Sequence, residues 1–263
     1  MSPEDGRKRQ EIGDRFIVGK GYEIGAGAFP SRYSGLESVV YLDTRSDAEL
    51  QKLFRAEMPY QVRSIDGGHP AQDVLIAHHV IEHLADPIGA IASWCALLRD
   101  TGRMFLSLPA ADNLGEKDRM PAPFEHILDD HLFGRGPGHF DSMQHVPHFI
   151  DQWAAMDPTS FWYAQGSVAK FASTSLFEAR RDNNDIHWHT FTMDVFREVM
   201  TAGFWFAGHG IRFLHTEQCY GALYVVAAKD GAAGELPAAM RAHRERLAKA
   251  VGALTRSTPE HNR

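Results

Sequence analysis

The sequence predicts an α/β fold: a mostly parallel sheet with helices on both faces and a large helical or irregular insertion after the fifth strand. Three observations predict it. Short apolar runs are continuous rather than alternating, the pattern of strands covered on both faces. Helix-length segments separate these runs, the spacing of βαβ units. The alternation stops after Pro109 and resumes near Thr192.

The elements follow in order. Residues 21–24 read as a first strand, closed by Gly25-Ala26-Gly27, and residues 39–43 as a β-branched second. Residues 60–63 are a weak third strand ended by Asp66-Gly67-Gly68, and residues 73–77 a strong fourth. The clearest helix comes next. Asp86 caps it, Pro87 suits its first turn, and Ile88, Ile91, Trp94, Cys95 and Leu98 form its apolar face. Asp100-Thr101-Gly102 ends it before a fifth strand over residues 103–109. Residues 110–185 carry no strand signal. Thr192 then caps a helix bearing Phe196, Val199 and Met200, and two β-like runs, 205–214 and 220–228, lie close enough to pair antiparallel. Residues 235–254 form an amphipathic tail helix, open to packing on its own domain or on a second subunit of a homodimer. Residues 1–8 and 256–263 are expected to fray.

Composition excludes several classes. A chain of 263 residues, 44% hydrophobic and 23% charged, is an ordinary globular protein with room for a sizeable core. The net charge of -7 argues against nucleic-acid binding, because phosphate neutralisation needs a basic surface. No apolar run reaches membrane-span length and the N-terminus lacks a signal-peptide core, so a cytoplasmic location is the expectation. Cys95 and Cys219 each sit in an apolar run, which suits buried free thiols better than a disulfide. Fifteen histidines are many for this length, and seven fall between His126 and His189.

The strand-turn sequence from Tyr22 to Pro30 carries the strongest functional signal. Glycines at the carboxyl end of a first strand let the backbone turn tightly against a ligand. Pro30 stands where a dinucleotide fingerprint has its third glycine, which weakens a nicotinamide-cofactor reading. Asp43 closes the second strand, where a carboxylate can accept both hydroxyls of an adenosine ribose. Asp66 follows the third strand, within reach of an adenine amine. Together these groups mark a ligand crevice along the carboxyl ends of parallel strands.

The string Glu23-Ile24-Gly25-Ala26-Gly27 resembles motif I of class I S-adenosylmethionine-dependent methyltransferases. His79-Val80-Ile81-Glu82-His83-Leu84-Ala85-Asp86-Pro87 resembles the fourth-strand signature of their type 11 group. Residues 97–103 are similar to the turn that follows in that group, with Asp100-Thr101 in place of Pro-Gly. The resemblance spans about residues 18–110 and 190–230. It implies a Rossmann-like, seven-stranded sheet whose last strand is antiparallel. It further implies that Gly25, Ala26 and Gly27 underlie the amino-acid and ribose parts of the cofactor. Glu23 would hold the turn or meet the amino group, Asp43 the ribose, and Asp66 the adenine region, with His79 near the sulfonium. Adjacent His78 and His79 must point to opposite sides of a strand. Glu82 and His83 are left between ordering the loop and joining the site.

The implied organisation is a cofactor-binding core of residues 1–109 and 190–230, a substrate-binding insertion over 110–189, and a C-terminal helix and tail over 231–263. Methyl transfer from a sulfonium needs an aligned nucleophile, exclusion of water and, for a hydroxyl, a base. The insertion holds candidates for that work. His126 and Asp130 lie four apart on one helical face after Pro123, and His187 and His189 share one side of an extended segment. The blocks 121–130 and 187–192 also resemble a subgroup that often acts on sugars or glycan precursors. Three readings stay open for His126, Asp130, His187 and His189: ligands of a divalent ion, a base with substrate-binding partners, or plain structural hydrogen bonding. His139, His145, His148 and the run Phe161-Trp162-Tyr163 add local density only. The expected activity is O-methylation of a polar small molecule or glycan hydroxyl. An N-acceptor, a nicotinamide-dependent oxidoreductase and a non-catalytic binding protein are the alternatives.

Overall fold

A computed structural model describes residues 2–55, 57–113, 119–133 and 187–257. Helix α1 (Pro3–Phe16) leads into β1 (Gly19–Ile24), β2 (Leu36–Asp43), α2 (Asp47–Phe54), β3 (Val62–Ser64) and β4 (Gln72–His78). A 3₁₀ turn (Ile81–His83), α3 (Pro87–Cys95), β5 (Leu98–Pro109) and α4 (Phe124–Leu132) follow. The remaining elements are α5 (Met193–Phe206), β6 (His209–Cys219), β7 (Ala222–Ala232) and α6 (Ala238–Ser257). His139, His145, His148 and Phe161-Trp162-Tyr163 lie outside the described residues.

The seven strands form one sheet in the order β3-β2-β1-β4-β5-β7-β6. Neighbours from β3 to β5 pair parallel, while β7 pairs antiparallel with both β5 and β6. The apolar runs divide by period two, as a strand requires. Leu75, Ala77, Met104, Leu106, Leu223 and Val225 face a core closed by α3, α4, α5 and α6. Val74, Ile76, Phe105, Tyr224 and Val226 face the opposite side, where Ile12 of α1 and Tyr33 cover them. Both faces are therefore sealed, as parallel strands need.

The N-terminus, expected to fray, is instead a 14-residue helix. Its start carries a full cap: the Ser2 side chain accepts from Asp5 N–H, Pro3 opens the first turn, and Glu4 and Asp5 meet the positive helix end. Tertiary contacts then hold it. Asp5 and Arg9 are buried, and the Tyr224 hydroxyl donates to Asp5 Oδ1 at 2.8 Å. Leu98, expected on the helical face of α3, is the first residue of β5. Strand pairing takes it, since Leu98 stands opposite Gln72 and the Leu97 carbonyl accepts from Gln72 N–H at 2.9 Å. Residues 205 and 206, read as β, finish α5, and Gly208 (φ +81°) then turns the chain into β6.

Both cysteines are free, Cys95 buried and Cys219 half-buried. Helix α6 packs on α4 of its own chain: Met240 enters the core, His243 Nε2 lies 2.9 Å from Asp129 Oδ1, and Arg246 pairs with Glu125. Among the described residues, no helix is long and apolar enough to cross a membrane.

Helix α1 approaches the sheet through Gly13, where a Cβ would stand 2.2 Å from the ring of buried Tyr33. Gly13→Ala should destabilise the fold by roughly 1–3 kcal/mol, overriding the gain of about 1 kcal/mol that alanine brings to an open helix. Urea unfolding of the two proteins checks the sign; a more stable variant would mean that α1 is not docked as described.

Candidate active site at the carboxyl edge of the sheet

Strand order reverses between β1 and β4, so the loops leaving these two strands diverge and open a crevice at their carboxyl ends. Ile24 stands level with Leu42 and with Ala77. The chain then turns away from the sheet, with Gly25 N–H donating to the Leu42 carbonyl at 3.0 Å. Gly25 (φ +64°) and Gly27 (φ +55°) are both left-handed, a conformation that side chains disfavour. A Cβ at Gly25 would meet Val80 at 2.7 Å, and one at Gly27 would meet Phe54 at 2.8 Å. Ala26 lies between them, half-buried.

Glu23 is buried, and its carboxylate links β1 to the chain beyond the turn. Its carboxylate accepts from Ser31 N–H at 2.9 Å and from the Ser31 hydroxyl at 2.7 Å. Burial pushes its pKa up to about 7, the Ser31 hydrogen bonds offsetting only part of the cost. The Tyr60 hydroxyl donates to the Gly27 carbonyl and its ring stacks on Tyr41, with centroids 4.0 Å apart. This second clamp on the turn escaped the sequence reading. Asp43, largely buried at the end of β2, accepts from Arg45 N–H at 2.9 Å. Asp66 is exposed just beyond β3. Glu23, Gly25, Ala26, Gly27, Asp43, Asp66 and His79 thus share one edge.

The paired histidines at the end of β4 diverge. His78 turns into the protein, with Nε2 2.7 Å from the Tyr33 hydroxyl oxygen and Nδ1 2.8 Å from Ser107 Oγ. Burial holds its pKa well below the ordinary value, so it is neutral. His79 adopts φ +54° and stands at the edge, between Asp5 Oδ2 at 3.5 Å and Glu82 Oε1 at 3.3 Å. Burial opposes its charge, but the two carboxylates outweigh it and raise its pKa to about 9. Burial likewise works against the Asp5 carboxylate, yet His79, Tyr224 and Arg9 hold it down to about 2. Asp5 and Arg9 were missed because residues 1–8 were expected to fray and no helix was assigned ahead of the first strand. The capping signature Ser2-Pro3-Glu4-Asp5, with Arg9 four residues on, was the signal available.

The described parts of the insertion fold onto the same edge. Ala110 bridges to Phe191, Ala111 N–H donates to the Phe191 carbonyl, and Trp188 N–H donates to the Glu82 carbonyl at 2.7 Å. His126, Asp130 and His189 come together: Asp130 Oδ2 lies 3.1 Å from His189 Nε2 and 3.4 Å from His126 Nε2. Asp130 and His189 are buried, while the His126 side chain is 38% exposed. His187 does not join them. It stands in a separate group with Glu82 and His83, whose potential ligand atoms lie within 4.8 Å of one another. Asp86, besides capping α3 at Gly89, faces His131 Nδ1 at 3.0 Å.

A seven-stranded order with β7 inserted antiparallel beside β5 is the arrangement that the motif resemblance implies. The architecture is a Rossmann-like, seven-stranded mixed sheet with flanking helices. No protein-family model and no curated protein matches the chain. Among solved structures it is similar to an S-adenosylmethionine dependent methyltransferase from Mesorhizobium loti (11% identity, 80% of this chain and 91% of that one, TM-score 0.41). It is also similar to DhpI in complex with SAH (12% identity, 85% and 84%, TM-score 0.43). A third likeness is to the CurJ carbon methyltransferase (14% identity, 82% of this chain, TM-score 0.39), where the match spans 49% of that chain, about half its length.

Because the folded pKa of Glu23 lies above its ordinary value of 4.5, the ionised carboxylate costs stability. Wild type should therefore be at its best, relative to Glu23→Gln, below about pH 4.5, and should lose ground as pH rises to 7 and beyond. The expected swing is on the order of 1–3 kcal/mol, read as the pH dependence of urea midpoints for both proteins. Parallel curves would contradict the buried placement.

Proposed function

We propose that the chain is an S-adenosylmethionine-dependent methyltransferase that O-methylates a hydroxyl of a polar small molecule or sugar precursor. The observation that carries the reading is the left-handed Gly25–Gly27 turn beside Asp43 at the strand-order reversal. Left-handed backbone and the close approach of Val80 and Phe54 require glycine at both positions, so the chain turns tightly at the mouth of the crevice, which suits close approach by the cofactor. On this reading Gly25, Ala26 and Gly27 underlie the amino-acid and ribose parts. Asp43 accepts from the ribose hydroxyls, Asp66 borders the adenine, and Glu23 braces the turn. His79 lies near the methyl-bearing sulfur, held between Asp5 and Glu82. The cofactor supplies the activated methyl group.

The chain's own residues would do the rest. His126 is the candidate base, since Asp130 at Nε2 favours the tautomer whose Nδ1 is basic. Asp130 is in turn held by His189, so the base is oriented on a buried, hydrogen-bonded support. Residues 110–189 are the proposed acceptor side. A second reading of the same trio, a divalent ion on His126, Asp130 and His189, is favoured by ligand atoms that all lie within 4.8 Å of one another.

Calorimetry separates the cofactors: S-adenosylmethionine should bind and NAD should not, and the reverse result would end the methyltransferase reading. Asp43→Ala should weaken cofactor binding more than about tenfold, as expected for loss of hydrogen bonds worth about 1.5–3 kcal/mol; an unchanged affinity contradicts its role. With sugar acceptors assayed by mass increase at oxygen, His126→Ala should lower kcat roughly 10²- to 10⁴-fold while cofactor affinity holds. A kcat close to wild type would remove His126 as the base.

A further inference from the structure

We infer that Glu82, His83 and His187 form a binding site for a divalent transition-metal ion, separate from the His126–Asp130–His189 group. The donors come from two segments that the fold brings together. Glu82 and His83 lie on the 3₁₀ turn that follows β4, and His187 lies on the strap that precedes α5.

Glu82 is the telling residue. It is 1% exposed, and among the described residues no donor makes a hydrogen bond to either carboxylate oxygen. The nearest cation, His79 Nδ1 at 3.3 Å from Oε1, is shared with Asp5. A buried carboxylate in such a place calls for hydrogen bonds, a full counter-charge or a metal. The Asp130 carboxylate differs, because Oδ2 already meets His189 at 3.1 Å within the chain. Two imidazoles stand beside Glu82 instead. The rings of His83 and His187 meet edge-to-face with centroids 4.7 Å apart, and their nitrogens lie within 4.8 Å of one another and of a Glu82 oxygen. Small side-chain rotations suffice to bring such donors to the roughly 2.0–2.2 Å that zinc-class ions take from imidazole and carboxylate.

The surroundings also suit a metal. Trp188 N–H donates to the Glu82 carbonyl at 2.7 Å, so a backbone bond between the ligand-bearing segments sets their spacing. His79 and Asp5 form a polar chain behind the carboxylate, the kind of outer support that orients a ligand. Two histidines and one carboxylate fit a first-row divalent ion such as zinc, cobalt or manganese, and three protein ligands leave coordination positions for water or a substrate oxygen. Such an ion would bind whether or not the glycine cleft takes S-adenosylmethionine.

The test uses the full chain without an affinity tag. Elemental analysis after dialysis, and titration with Co²⁺ followed by its visible absorption and by Zn²⁺ competition, should give one ion per chain. Glu82→Gln and His187→Ala should each weaken binding by about tenfold or more, while His126→Ala and Asp130→Asn leave it unchanged. Circular dichroism of the apo-proteins reports whether each variant folds, and His187→Ala carries the test if Glu82→Gln does not. Wild type that takes up neither ion, binding that survives both substitutions, or binding lost with Asp130→Asn instead would overturn the inference.

Discussion

Parallel pairing of β1 with β2 on one side and β4 on the other is the contact from which the remaining features follow. Parallel strands need both faces covered and leave all their carboxyl ends along one edge. Coverage on one face comes from α3, α4, α5 and α6, and on the other from α1 and Tyr33. The edge collects the glycine turn, Asp43, Asp66 and His79 without any of them being neighbours in sequence. Because strand order reverses between β1 and β4, the crevice opens at the glycine turn rather than elsewhere along the edge.

Charge at that edge is managed by pairing. Asp5, His79 and Glu82 come from α1, the end of β4 and the 3₁₀ turn, and each depends on the others for its protonation state. The helix that supplies Asp5 is held to the sheet by Tyr224 on β7, so the last strand helps determine the electrostatics beside β4. Glu23 is handled differently. Burial pushes its pKa up to about 7, and its hydrogen-bond partner Ser31, a neutral group, offsets only part of that cost.

The strap from His187 to Thr190 ties the insertion to the core. Trp188 N–H bonds the turn after β4, the Thr190 carbonyl accepts from Ala122 N–H, and the Thr190 hydroxyl donates to the Met120 carbonyl. Extended alternation would keep His187 and His189 on one side, but the chain bends at Trp188, and the two histidines meet different carboxylates, Glu82 and Asp130. Two His/carboxylate groups therefore exist where a single cluster was expected. The 121–130 block is no loose cap at this point, since Phe124, Ile127 and Leu128 of α4 are buried in the same core as β4 and β5.

Periodicity and turn chemistry by themselves determined the sheet strands, the capped helix at Asp86-Pro87, the helix at Thr192 and the antiparallel final pair. Those are local consequences of apolar spacing and of glycine, proline and capping residues, which a linear sequence records. The glycine turn and the acidic residues beyond β2 and β3 were legible for the same reason. The N-terminal helix was passed over although its cap stood in the sequence; what makes Asp5 part of the edge, however, with Arg9 paired to it, is contact with Tyr224 and His79, more than 70 residues away. The division of the histidines was likewise beyond the sequence. Spacing placed His126 with Asp130 correctly, one helical turn apart, but could not say which carboxylate His187 would meet. Only the tertiary structure decided that, because the partner of a side chain on this strap depends on which distant segment its backbone hydrogen-bonds, here Glu82 on the 3₁₀ turn after β4.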